Sequence, residues 1–380
     1  NMHAKDIFCV YILSMFLPDQ PFNDLARIPI ERLETINTLK AAIRASRCLA
    51  ALDAAGPLIP NQVVLLRAIL LQEARASSEI ENVVTTADAL YQAMTGDPEA
   101  SDPHTREVLR YGDALWRGFH DIQSGNPIRP SLLVELVQTL KGTSIDIRAD
   151  SGCRIVNDRT WEVVYTPPVG RDRILSMLND LCGFLAEERS VDPLIAMAAA
   201  HRQFEAIHPF PDGNGRAGRV LNILALVQSG LLRLPILYLS GAILRNKAEY
   251  YRLLRTVTET GDWEPWILFL LNAVENTSRT TMSLLERVKS EIESATEIAR
   301  TGMERGYSRE LMDIVFSQPY TRIRHVEDAG VAKRNTASVY LHELERIGIL
   351  SSVRIGREVL FRNNGLLNAL TFDPSPLQNP

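Results

Sequence analysis

The segment HPFPDGNGRAGR, His208 to Arg219, decides how the rest of the 380-residue chain is read. It gathers an imidazole, a carboxylate, an amide, three glycines and two guanidiniums. Gly213, Gly215 and Gly218 weaken any helix built through them. The reading is therefore a helix over AAAHRQFEAI (198–207), a glycine loop, and a second helix over RVLNILALVQSGLL (219–232). A glycine loop that opens a helix offers unpaired N–H groups and the positive end of the helix dipole, and both bind anions. Arg216 and Arg219, three apart, can face the same anion. Arginines are poorly placed at that end of a helix, which points to an anion offsetting them. The residues alone leave two readings open: a phosphate site with a titratable histidine at its edge, or a plain glycine turn beside a satisfied histidine.

The length allows two or three domains. Apolar residues at 46% and charged residues at 23% give the balance of a soluble globular protein. A net charge of −5 exerts no overall pull toward nucleic acid or an anionic membrane. Cys9, Cys48, Cys153 and Cys182 are scattered without a CxxC pair, which reads as reduced thiols in a cytoplasmic protein. The apolar run IFCVYILSMFL (7–17) is too short to span a bilayer. Only Lys5 and a weak polar lead precede it and no A-x-A cleavage site follows, so it reads as a buried strand or helix, or a partly ordered N-terminus, rather than an export signal. No membrane association is expected.

Taken as a motif, the segment resembles the signature of the Fic family, HxFx(D/E)GNGRxxR, at every specified position. Most members of that family are adenylyltransferases that move AMP from ATP to a protein hydroxyl. The resemblance implies a mainly α chain with a Fic fold, a helical bundle carrying a β-hairpin flap. It also implies roles. His208 would be the base for the target hydroxyl, since an ordinary imidazole is largely neutral near pH 7. Asp212 would hold Mg²⁺ between the α- and β-phosphates of ATP. The N–H groups of Gly213, Asn214 and Gly215 would form the anion hole, with Arg216 at the β-phosphate and Arg219 at the γ-phosphate. Asn246 and Tyr250 or Tyr251 would lie near the adenine and ribose; Tyr250-Tyr251 reads equally as a pair of core aromatics.

A second motif lies upstream. Ser77-Ser78-Glu79-Ile80-Glu81-Asn82 resembles the inhibitory motif of many Fic proteins, (S/T)xxxE(G/N), with Ser77, Glu81 and Asn82 in the specified places. It ends a helix expected from about Asn61, and Ser77 and Glu81 share one face of it. The resemblance implies that Glu81 pairs with Arg219, takes the charge meant for the γ-phosphate, and leaves ATP misaligned. In some family members the same glutamate supports removal of AMP.

Elsewhere the pattern is helical. Residues 28–55 carry Ile36, Leu39, Ile43, Leu49 and Leu52 at helical spacing. Further helices are expected over 87–94, 105–119, 130–140, 171–189 and 191–206, then through AILRNKAEYYRLLRTV (242–257) and GDWEPWILFLLNAV (261–274), with a charged connector over 276–303. Between them, GCRIVNDRTWEVVYTPPVG (152–170) is β-prone on both sides of Asn157-Asp158 and reads as a hairpin. The resemblance makes it the flap, with Tyr165, Thr166 and Pro167 docking the target by strand addition. From Arg309, three helices and a two-stranded wing turning at Gly356 read as a winged helix-turn-helix. Lys333, Arg334, Asn335 and Thr336 would open its recognition helix, and Arg354, Arg357 and Arg362 would lie on the wing. Residues 309–362 hold nine Lys/Arg against seven Asp/Glu, so both DNA binding and a protein-docking or dimerising role stay open. The expected division is an N-terminal helical region with the inhibitory motif (1–105), a Fic catalytic core (106–275), a connecting helix (276–305) and a winged-helix domain (306–380).

The leading expectation is a protein adenylyltransferase acting on a Ser, Thr or Tyr hydroxyl of a target and of itself, held back by Glu81. A homodimer stays open. Two alternatives remain: transfer of another group, such as UMP, phosphate or phosphocholine, and a DNA-binding regulator whose Fic domain senses nucleotide.

Overall fold

The computed structural model describes residues 16–56, 62–95, 101–149, 152–157, 160–187, 191–355 and 358–371. Most of the apolar run 7–17, Cys9, and the expected wing turn at Gly356 lie outside them. A 3₁₀ turn (Ile30–Arg32) leads into α1 (Ile36–Ala55), α2 (Gln62–Ile80), α3 (Ala87–Thr95), α4 (Pro103–Gln123) and α5 (Pro130–Lys141). A hairpin of β1 (Ile155–Val156) and β2 (Val163–Tyr165) follows, then α6 (Arg171–Ala186), α7 (Pro193–Ile207) and α8 (Asn214–Gln228). Next come α9 (Leu239–Arg245), α10 (Lys247–Thr260), α11 (Glu264–Gly302) and α12 (Arg309–Val315). The chain then forms β3 (Tyr320–Thr321), α13 (Ile323–Asp328), α14 (Arg334–Arg346), β4 (Leu350–Ile355), β5 (Glu358–Asn363) and α15 (Asn364–Thr371).

The core centres on α7 and α8, which bury residues on all sides as central helices do. Asp192 caps α7 by accepting from the Leu194 and Ile195 N–H groups, with Pro193 in the first turn. Gly118 lets α4 cross close to α8: a Cβ there would lie 2.5 Å from Leu224 Cδ1. Trp266 of α11 closes the far side and donates its indole N–H to the Ala198 carbonyl at 2.7 Å.

Two helical expectations change. Along α1 the buried face is Thr38, Ala41, Ala42, Ala45, Leu49 and Leu52, while Ile36, Leu39 and Ile43 are exposed. The helix packs on α11, and the first half of its buried face is small side chains, Thr38, Ala41, Ala42 and Ala45. The two helices expected on either side of residue 275 are one 39-residue helix, α11, about 58 Å long. No glycine or proline falls between Trp266 and Thr301 to stop it.

The hairpin pairs Ile155 with Tyr165 and Val156 with Val163, with an irregularity between. At the C-terminal end, three helices and an antiparallel sheet ordered β3-β5-β4 form an arrangement compatible with a winged helix. Strand β3 and helix α15 are additions to the expected pattern. This unit rests on the N-terminal helices as well as on α11: the Tyr320 hydroxyl donates to Asp88 of α3, and Gln72 of α2 donates to the Leu370 carbonyl of α15.

Candidate active site

Helix α7 ends at Ile207, and His208 turns out of it in the left-handed region, φ 47 and ψ 61. For a residue with a Cβ this conformation costs on the order of 1 kcal/mol, and such strain gathers at functional sites. The loop is closed by Asn214, whose side-chain oxygen accepts the Phe210 N–H at 2.9 Å and whose NH₂ donates to the Phe210 carbonyl at 2.7 Å. Gly213, at φ 84, caps α8. The first N–H groups of α8 therefore open toward the loop with no partner inside the helix.

The motif helix starts at Asn214 rather than Arg219, so Gly215 and Gly218 lie inside it. The reason is crowding. A Cβ at Gly215 would collide with the Glu81 carboxylate and lie 3.1 Å from Arg219 Nη1. A Cβ at Gly218 would lie 2.6 Å from Glu205 Oε1 and 3.2 Å from both His201 Cε1 and Phe204 Cδ1. Both glycines give up helix propensity to let carboxylates and rings approach the backbone.

Arg219 is buried, and α2 supplies its partners. Its Nε donates to Ser77 Oγ at 2.7 Å, and its Nη2 to the Ser77 carbonyl at 2.9 Å and to Glu81 Oε1 at 2.8 Å. Burial acts to raise the Glu81 pKa, but Arg219 outweighs it and holds the carboxyl below its ordinary value. Burial acts to lower Arg219, and Glu81, Tyr250 and Glu205 outweigh it to push the guanidinium above its ordinary value. Asn82 follows at φ 62, a left-handed helix end that glycine or asparagine best adopts. One turn before Ser77, buried Glu73 accepts from Tyr111 Oη at 3.0 Å, from the Ser240 N–H at 2.8 Å and from the Ser240 hydroxyl.

Arg216 does not share Arg219's partner. It donates to Glu107 Oε1 at 2.5 Å, while Lys141 Nζ lies 2.9 Å from Glu107 Oε1 and 2.6 Å from Asp212 Oδ2. Glu107 and Lys141 are site residues that sequence reading missed, because each is a lone charge on a distant helix with no local motif. Asp212 is half-exposed, and its Oδ1 accepts the Gly213 N–H at 2.5 Å. No cluster of three or more His, Cys, Asp or Glu suited to a metal occurs among the described residues. One accessible carboxylate fits a Mg²⁺ ion that arrives on nucleotide phosphates and keeps its waters.

Burial, with Arg148 second, lowers the His208 imidazole to about 4. Burial also pushes the Glu205 carboxyl up to about 7. His201, lowered by burial to about 3, lies 3.0 Å by Nδ1 from the Gly218 carbonyl and 2.8 Å by Nε2 from the Tyr250 hydroxyl. A carbonyl only accepts, so Nδ1 carries the proton and Nε2 takes the Tyr250 hydrogen.

At three expected contacts the surroundings are as follows. Tyr250 is 1% exposed and spends its hydroxyl on His201, so it is a core aromatic with no face open to a nucleotide; Tyr251 is the exposed neighbour. Asn246 is exposed, separates α9 from α10, and donates to the Ala242 carbonyl at 3.0 Å. At the hairpin, Tyr165, Thr166 and Pro167 are buried. Tyr165 donates to the Ala206 carbonyl at 2.8 Å, Thr166 Oγ1 to the Pro18 carbonyl at 2.7 Å, and the Thr166 carbonyl takes the Phe22 N–H at 2.9 Å. The hairpin instead exposes Trp161, at 78% and φ 60.

Three family models match the chain in order. They are the Fic/DOC family N-terminal region over residues 39–120, the Fic/DOC family over 127–226, and the C-terminal domain of SoFic-like protein adenylyltransferases over 292–366. An Aquifex aeolicus protein named a probable protein adenylyltransferase is 36% identical over 84 residues, 22% of this chain and 24% of that protein. The protein adenylyltransferase fic-1 of Caenorhabditis elegans is 33% identical over 107 residues, 27% of this chain and 19% of that one. The chain thus spans a quarter or less of the length of these curated relatives. A Fic family protein from Desulfovibrio desulfuricans G20 superposes with a TM-score of 0.56 at 21% identity, covering 87% of this chain and 97% of that one, a likeness of fold. With its signature complete, its N-terminal, central and C-terminal segments each matched, and its helices arranged as in that structure, the chain belongs to the Fic/DOC family.

Proposed function

We propose that this chain transfers AMP from ATP to a hydroxyl side chain of a protein, and that Glu81 restrains it. The observation that carries the proposal is the Glu81–Arg219 pair at 2.8 Å, seated beside the complete motif. His208 stays neutral near pH 7 and can accept the hydroxyl proton. The hydroxyl oxygen then attacks the α-phosphorus, the bond to the bridging oxygen breaks, and pyrophosphate leaves. The opening turn of α8 and Arg216 meet the phosphate charge, and Arg219 meets the γ-phosphate once Glu81 withdraws. Asp212 would hold Mg²⁺, which neutralises phosphate charge when bound.

The test uses ATP labelled on the α-phosphate. Glu81→Gly should label itself and target proteins well above the wild type, and Glu81→Gly with His208→Ala should not label. Equal labelling of wild type and Glu81→Gly sinks the inhibitory reading. Transfer of label from the γ-phosphate instead would favour a phosphate-transferring branch. The proposed division is that of an inhibitory region (1–105), a core (106–275), a connector (276–305) and a winged-helix unit (306–380), in a cytoplasmic protein.

A second reading concerns that last unit. Lys333, Arg334, Asn335 and Thr336 are all exposed at the start of α14, which favours a nucleic-acid contact there. Gel-shift with duplex DNA, compared with a Lys333→Ala/Arg334→Ala variant, decides it. No shift, or an equal shift for both, removes α14 as a DNA-reading helix.

A further inference from the structure

We propose that Arg148 is a positioning residue for His208, fixing the imidazole against the hairpin through three main-chain carbonyls. The assignment of His208 as the base rests on the adenylyl-transfer reading; the positioning itself rests on geometry. Arg148 precedes the hairpin, sixty residues before the motif, and is 3% exposed. Its Nε donates to the His208 carbonyl at 2.7 Å. Its Nη2 donates to the Ile207 carbonyl at 3.1 Å and to the Pro168 carbonyl at 2.5 Å. Its own N–H donates to the Pro209 carbonyl at 3.0 Å.

Those four acceptors belong to two pieces of chain that must meet correctly. Ile207, His208 and Pro209 are the end of α7 and the first step of the motif loop. Pro168 is where the hairpin ends. The last carbonyls of a helix have no intrahelical partners, and a buried one left unpaired is costly. Tyr165 takes the Ala206 carbonyl and Arg148 takes the next two, so the hairpin side of the molecule meets three successive carbonyls where α7 ends. A cation is also favoured at a helix C-terminus. The planar fork of arginine can hold several carbonyls at once, which lysine cannot. The left-handed backbone of His208 is then held from outside by Arg148, which meets its carbonyl, with the Phe204 carbonyl meeting its N–H at 3.0 Å.

The same cation acts on the ring's protonation. Around His208, burial and Arg148 disfavour the imidazolium, while the Glu205 main chain, Glu81 and Asp212 favour it. Removing Arg148 takes away a repulsion, so the His208 titration moves upward toward an ordinary histidine. A structural arginine with no bearing on His208 would leave that titration in place.

The experiment compares Arg148→Met and Arg148→Lys in the full chain carrying Glu81→Gly, after circular dichroism shows each is folded. AMP transfer from α-labelled ATP is measured against pH and ATP concentration. Imidazole titrations are followed by NMR, with His208→Ala identifying the signal. Arg148→Met should lower kcat by about tenfold or more, with KM for ATP within about twofold, because misplacing a catalytic group acts on the chemical step. Its His208 titration should rise. Arg148→Lys should keep the low titration and recover only part of kcat. A folded Arg148→Met with unchanged kcat and an unmoved His208 titration overturns the proposal. If Arg148→Met does not fold, Arg148→Lys decides: a several-fold lower kcat at unchanged KM supports the proposal, and full kcat overturns it. If Glu81→Gly itself transfers no AMP, the adenylyl-transfer reading fails, and the titration alone judges Arg148: an upward shift supports it and none overturns it.

Discussion

Arg216 and Arg219 leave the same stretch of α8 and are buried alike, with side chains 3% and 2% exposed, yet their counter-charges are organised differently. Arg216 sits in a shared set: Glu107 serves both Arg216 and Lys141, and Lys141 also serves Asp212. Two cations and two carboxylates balance there, so no single contact controls the charge. Arg219 has one short ion pair, with Glu81, on a helix that also gives it Ser77. Nearby Glu205, with its carboxyl raised to about 7, is only partly ionised near neutral pH. One side of the motif helix is a balanced cluster and the other a single latch. A latch can be opened by one substitution, whereas a balanced cluster can only be damaged by one.

The largest effect should therefore appear in activity. Glu81→Gly should raise AMP transfer about 10- to 100-fold, as about 1.4 to 2.8 kcal/mol of relieved competition would. Glu107→Gln, although it removes an equally close partner, should give no gain, and a gain from it would erase the contrast. In stability the order reverses. Glu107→Gln leaves Arg216 and Lys141 with Asp212 alone and should cost about 2–3 kcal/mol in urea unfolding.

Gly215→Ala sharpens the contrast at close range. In the wild type its Cβ collides with the Glu81 carboxylate, and the substitution should destabilise by about 1–2 kcal/mol. With Glu81→Gly the collision is gone and the gain in helix propensity, up to about 1 kcal/mol, shows instead. A double-mutant cycle that came out additive would mean Glu81 does not press on this face.

The smallest expected effect is a titration. Glu205 binds its proton more tightly folded than unfolded, so its contribution to stability is complete below its ordinary value near 4.5 and is lost as pH rises through about 7. Glu81 is one cause of that raised value and Arg219 opposes it. In Glu81→Gly the Glu205 carboxyl should titrate lower, read by carbon NMR of labelled glutamate. An unmoved value would mean the two acids do not share Arg219's field.

What could be read in the sequence follows the density of chemistry along it. His208, Asp212, Arg216 and Arg219 fall within one dense segment, and Ser77, Glu81 and Asn82 within another. Glu107 and Lys141 had no such company; only folding brings α4 and α5 to the motif. Tyr250 and Tyr251 could not be told apart because adjacent tyrosines on a helix point to different faces, and sequence does not say which face meets Trp266 and His201. Gly215 and Gly218 looked like loop formers because glycine lowers helix propensity; their true cause is the crowding of carboxylates and rings against the helix. The face of α1 was misjudged for a related reason: alanines make up half of its buried side, and size alone did not mark it.

Two of the contacts along α2 mark the ends of one stretch. Gln72 meets the Leu370 carbonyl of the C-terminal unit, and Glu81, just past the helix's last turn, meets Arg219. The nine steps between them contain no glycine or proline and span about 13 Å of helix. Such a rod transmits displacement without a hinge. Mechanically, the latch on the motif is one piece with the point where the far end of the chain touches down.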